Sequence, residues 1–270
     1  MIGYFIFLLV VFFLFSFLFS YSQTSKMKKV QIFKLDSKKI IYSRMIPNCS
    51  LEEAFFISSI FGISENASDF VGAVILKWIK EKKIKIVKKD NHVYFDMRDF
   101  SKMEEGYERD LYFKLLVASG KNKILEANEF VLFFEQEEIV KLLKDIFVDV
   151  RDQFVREGQL KRKVYGFTYK YYISPELEAK AYQLAGLKKF LLDFSVIHKR
   201  ESIEVALWED YLVYAQLFGI ADKVDEQMEN IYPDFNKMLD YQAFSNAVIA
   251  TFMVTFNFAL IPLLAYSKKS

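Results

Sequence analysis

The sequence predicts a mostly helical α+β protein held to a membrane. Three observations carry this prediction. Residues Tyr4–Tyr21 form an apolar run without charge or proline. Apolar residues recur at steps of three and four through most of the rest, and short β-type runs interrupt that pattern near 84–97 and 164–173. Only 9 glycines and 4 prolines occur in 270 residues, which suits helices joined by few tight turns.

The apolar run is long enough, with its flanks, to span a bilayer. A signal peptide is the competing reading. No Lys or Arg precedes the run, however, and no small-x-small cleavage site follows it, so residues 1–25 are read as an uncleaved transmembrane anchor. Lys26, Lys28 and Lys29 come next. By the positive-inside rule the N-terminus is outside and the main body cytoplasmic, at the plasma membrane. The single Cys49 fits that reducing side. Residues 26–45 read as a basic juxtamembrane linker, with one short strand at Val30–Leu35 and lysines able to meet lipid headgroups.

Ser50 and Glu53 form the pattern of a capping box, opening a helix to about Phe61. Asn66 is the expected N-cap of a second helix to about Lys82. Ile84–Val87 and His92–Met97, across the polar turn Lys88–Asn91, read as a hairpin. Helix, helix, hairpin is the grammar of a winged-helix-like module, placed at 46–100. A second round spans 101–173. It has a helix over Glu104–Ser119, an extended piece in Ile124–Phe134, and an amphipathic helix over Gln136–Glu157. Val164–Ile173 is its returning strand.

A C-terminal helical hairpin is expected over 174–235. Ser174 caps its first helix with Pro175 at N1, and the helix runs to about Ile197. Glu204–Val224 forms its second arm. Val205, Trp208, Leu212, Ala215 and Phe218 fall on one face, and Gly219 ends the helix. Glu209, Asp210 and Asp222 are read as a solvated rim rather than a catalytic pair, because no histidine or cysteine stands near them. Residues 240–266 form an apolar C-terminal helix whose segment Ala243–Tyr266 has no charged residue. It is read as a second span, against two alternatives: a surface-lying helix and an oligomerisation helix.

Lys+Arg 37 against Asp+Glu 35 gives a net charge of +2, which argues against a chain built to coat nucleic acid. The region Asn66–Asn91 is locally basic. Lys77, Lys80, Lys82, Lys83, Lys88 and Lys89 are its candidates for nucleic-acid or lipid contact. His92, His198 and Cys49 are too scattered for a metal site, and no phosphate loop or nucleophile motif is present. No cofactor and no catalytic residue is therefore expected. The reading that follows is a non-enzymatic, membrane-anchored interaction or scaffold protein. Its partners are the lipid bilayer and other membrane or cytoplasmic proteins. The alternative is a membrane-tethered winged-helix nucleic-acid-binding regulator.

A family resemblance rests on Lys189–Val224. Phe190, Leu191, Asp193, Phe194 and Ser195 are followed, after a charged turn, by Ala206, Leu207, Trp208, Glu209, Tyr211, Leu212, Tyr214 and Ala215. Gly219, Ile220, Ala221, Asp222, Lys223 and Val224 complete the phrase. This resembles a family of predicted bacterial membrane proteins of unknown function, domain of unknown function 2207, over about 45–232. The resemblance implies membrane attachment and a structural motif at Trp208, Tyr211, Leu212, Tyr214, Gly219, Ala221 and Asp222. It carries over no catalytic residue. Members usually bear an extracytoplasmic domain ahead of the span and often a Gly-rich tail. Here the sequence opens at the span and closes on an apolar segment, so what that domain senses is expected to be either absent here or supplied by another subunit.

Overall fold

The computed structural model describes residues 33–193 and 207–224, apart from 65, 90–91, 100–102, 104, 127–128, 130–136, 166–167 and 222. The expected anchor Tyr4–Tyr21, the segment Ala243–Tyr266, Val205 and Asp222 lie outside the described residues, as does most of the expected strand Val30–Leu35. Among the described residues no helix is long and apolar enough to cross a membrane.

Helices dominate and the sheets are small and antiparallel. The order is α1 (Leu51–Ile60), α2 (Ala67–Lys80), β1 (Lys85–Lys89), β2 (His92–Asp96), α3 (Tyr107–Ala118), β3 (Ile124–Leu125), α4 (Glu137–Arg156), β4 (Leu160–Tyr165), β5 (Thr168–Ile173), α5 (Pro175–Leu192) and α6 (Trp208–Leu217). Helix, helix and hairpin thus occur twice, as α1–α2–β1–β2 and α3–α4–β4–β5.

Local chemistry sets several boundaries. The Ser50 hydroxyl accepts from the Glu53 amide at 3.3 Å, and Glu53 Oε2 accepts from the Ser50 amide at 3.2 Å. Both halves of the expected capping box are therefore made. Ser174 accepts from the Leu177 amide at 3.1 Å, with Pro175 in the first turn. Asn66 holds the N-cap position of α2 but makes no side-chain capping bond. The first hairpin pairs Lys89 with His92, so its loop is two residues long rather than four, and Lys88 and Lys89 belong to a strand. The expected single strand Val164–Ile173 is instead part of a hairpin: Leu160 pairs with Ile173 and Tyr165 with Thr168.

Packing joins the two rounds. Strand β3 belongs to the second round yet pairs with β2 of the first, through Phe95–Leu125 and Asp96–Ile124. Phe55 stacks on Phe70 with centroids 4.4 Å apart, and Phe56 meets Phe147 at 4.6 Å and Phe154 at 5.5 Å. These rings tie α1, α2 and α4 into one continuous apolar core. Helix α6 packs most extensively on α2 rather than on its sequence neighbour α5. It is accordingly buried all round, not on one face: Tyr211, Leu212, Val213, Tyr214, Ala215, Gln216 and Leu217 are all inside.

Residues 33–49 do not behave as a free linker. They form a strap across α5. The Phe33 amide donates to the Ile60 carbonyl at 2.9 Å, and the Ser43 amide to the Gly186 carbonyl at 3.2 Å. The Asp36 amide donates to the Tyr182 hydroxyl, 3.1 Å away. The Tyr211 hydroxyl donates to the Arg44 carbonyl at 2.8 Å, fixing the strap to α6 as well.

Candidate functional site

The expected lysine surface at the end of α2 is a charged seam between helices. Lys77 pairs with Glu108 and lies 3.3 Å from Glu81. Lys83 lies 2.7 Å from Glu81 and 3.3 Å from Glu108. Lys80 pairs with Asp210 of α6. Trp78 Nε1 donates to Glu108 Oε2 at 2.7 Å. Glu108 is therefore the hub, although along the chain it is marked only as an acid in the first turn of α3. Burial alone would raise its carboxyl pKa. The bonds from Lys77 and Trp78, with the charges of Lys77 and Lys83, outweigh burial and hold it below the usual range.

Lys82 has φ +58° just past α2. Around it the Lys82 amide donates to the Ile79 carbonyl and the Lys83 amide to the Trp78 carbonyl. That pair of bonds is a Schellman closure, and it turns Lys83 back onto the seam. The side chains of Lys88 and Lys89 lie outside the description. So Lys77, Lys80 and Lys83 come together, but around carboxylates of their own chain. Asp210, expected on a solvated rim, is half-buried in one of these pairs.

The motif residues take structural positions. Tyr211, Leu212, Tyr214 and Ala221 are buried. The Trp208 backbone opens α6, and its side chain lies outside the description. Gly219 has φ +66°. Its amide donates to the Gln216 carbonyl, and the Ile220 amide to the Ala215 carbonyl. This is a second Schellman closure, with glycine where a side chain would be strained. A Cβ there would also come within 2.8 Å of Asp69 Oδ2.

A second cluster gathers at the start of α1. Cys49 and Tyr214 act on one another electrostatically. The Tyr107 hydroxyl donates to Glu52 at 3.0 Å, and Gln153 Nε2 to Glu53 at 3.0 Å. Burial, then the negative charge of Glu53, pushes the Cys49 thiol pKa up to about 11. At neutral pH it is a protonated thiol and a poor nucleophile. Burial also raises the Tyr107 and Tyr214 hydroxyls, and lifts Tyr112 to about 12. All four groups favour their neutral forms more strongly when folded. Their contribution to stability is complete well below 9.0, the value at which the unfolded thiol is half ionised, and is lost as pH rises through the folded values. The melting temperature is expected to stay level from about pH 7 to 8 and to fall steadily towards about pH 11. A level profile across that range would contradict these shifts.

Among the described residues no group of three or more His, Cys, Asp and Glu side chains could hold a metal ion. A cleft of about 540 Å³ opens between the strap, the end of α1 and α5, lined by Lys34, Leu35, Ile40, Phe61, Lys188 and Lys189 among others.

Comparison with known proteins adds one family. Residues 163–228, from late β4 through α6, match the C-terminal domain of a predicted membrane protein, DUF2207. The matched stretch contains the whole phrase Lys189–Val224 and points to a membrane protein. No curated protein and no solved structure matches the chain.

Proposed function

We propose that the chain is a membrane-anchored scaffold whose cytoplasmic body works by binding other membrane or cytoplasmic proteins, without catalysis. The observation that carries this reading is the fate of the charged and nucleophilic groups. Lys77, Lys80 and Lys83 are used to join α2 to α3 and α6, and Cys49 is held as a neutral thiol. Within this reading the two rounds of helix, helix and hairpin are winged-helix-like modules turned to protein contacts. The nucleic-acid alternative draws its phosphate contacts from the same lysines, three of which already neutralise Glu81, Glu108 and Asp210.

The test is purification of the full chain from native membranes in mild detergent. A partner protein retained in fixed ratio is the expected result. A chain that elutes alone, or that shifts labelled duplex DNA at low salt, would count against the reading. Orientation has its own check. Protease added to intact spheroplasts should leave the body uncut, and cleavage there would place it outside.

A further inference from the structure

We propose that the strap and the cleft beneath it form a seat for the anionic phospholipid headgroups of the bilayer to which the chain is anchored. This rests on the membrane reading and adds a site and a ligand class to it.

The strap has an unusual surface. Ile41 is 78% exposed, Met45 77% and Tyr42 50%, so three large apolar side chains within five residues face outward. Isolated exposed apolar residues are ordinary, but a run of them beside cations suits a membrane interface. The cations are present. Lys34, Lys38 and Lys39 are exposed on the same strap. Lys189 donates to the Ile40 carbonyl at 3.4 Å, and its ammonium lies 4.6 Å from the Tyr42 ring centre. Lys188 donates to the Ile63 carbonyl at 2.5 Å, across the cleft. The cleft therefore has an apolar floor of Leu35, Ile40 and Phe61 and a rim of lysines. That is the polarity of a phospholipid, with an anionic head above and acyl carbons below.

Position limits the choice of occupant. The apolar run ends at Tyr21 and the strap begins at Phe33. Twelve peptide steps reach at most about 40 Å even when fully extended. The strap is thus tethered within reach of the headgroup layer, whereas a soluble partner would have to be recruited.

The experiment uses the full chain in lipid nanodiscs. Met45→Cys in a Cys49→Ser background carries an environment-sensitive dye. Discs contain phosphatidylcholine alone or mixed with phosphatidylglycerol. With phosphatidylglycerol the dye emission should shift to the blue, and quenching by spin-labelled lipid should rise several-fold. Lys34→Glu, Lys38→Glu and Lys39→Glu together should abolish both effects, while Lys141→Glu on the exposed face of α4 should not. Hydrogen exchange of the unsubstituted chain gives an independent reading: amides of 34–46 should gain protection only in the anionic discs. A chain that enters the discs but shows the same emission and exchange in both lipids overturns the lipid seat alone. A chain that does not enter discs at all overturns the membrane reading and the seat together.

Discussion

Trp78→Ala should lower the unfolding free energy by about 4 kcal/mol, the usual cost of emptying a fully buried aromatic site. Trp78 is 0% exposed. Its ring meets Tyr112 edge-on at 5.7 Å, and its N–H is taken by Glu108 at 2.7 Å. At about 2–4 °C per kcal/mol for a domain of this size, the melting temperature should fall by about 8–16 °C. Thermal melts followed by circular dichroism would measure it. Trp78→Phe separates the two contributions, because it keeps most of the ring and removes only the donor. It should cost about 1–2 kcal/mol, since Glu108 retains Lys77 and Lys83. A drop of under about 2 °C for the alanine variant would mean that the seam between α2 and α3 carries little of the stability.

Gly186→Ala should also destabilise, by about 2–3 kcal/mol, the range of an overpacked core site. The sign is the informative part. A glycine inside a helix normally costs about 1 kcal/mol relative to alanine, so the substitution ought to help α5. Here the new methyl group would run into the Ile41 carbonyl oxygen, with Ser43 Cβ at 3.2 Å and Ser43 N at 3.3 Å. Those are strap atoms, two of them backbone, and backbone cannot swing aside as a side chain does. The strap must lift, losing the bond from the Ser43 amide to the Gly186 carbonyl. Gly72→Ala is the natural comparison. Its methyl would first meet the Gln216 side chain, at 2.7 Å for the nearest atom, which can swing aside, and the substitution should cost less. Faster proteolysis within 40–46 in the Gly186 variant would locate the damage. Equal or higher stability would show that the strap is not seated on α5.

What the sequence revealed and what it hid divide along physical lines. Features set by a few consecutive residues were legible. Ser50 with Glu53, Ser174 with Pro175, and Gly219 at the end of α6 each satisfy backbone groups locally, so their patterns need no knowledge of the fold. The amphipathic stripe of α4 was legible too, since Ile139, Leu143, Ile146, Val150 and Phe154 all face the core. The hairpin of β4 and β5 was half visible. The run Val164–Ile173 reads as one strand only if Gly166 is passed over, and the Lys- and Arg-rich start of β4 masks its strand character. The all-round burial of α6 was hidden because its main partner, α2, lies far away in sequence.

The lysine seam was hidden for the same reason. Glu108 is 31 residues from Lys77, and Asp210 is 130 from Lys80. A sequence shows a basic stretch but not the carboxylates that fold onto it. The strap looked like a linker because it has no periodicity. It is held instead by scattered backbone bonds to Ile60, Tyr182, Gly186 and Tyr211.

The strap also imposes an order of events on synthesis. Asp36 and Tyr182 are separated by 146 residues, and Arg44 and Tyr211 by 167. At roughly 5–20 residues per second, a ribosome makes the strap about 8–30 s before its seat exists. The strap is made early, yet the clasp that joins it to the body can close only after residue 211 has been added. Assembly therefore runs from strap to body to clasp. A chain halted before α6 would carry the strap with part of its seat missing, its Arg44 carbonyl without the Tyr211 hydroxyl that fixes it.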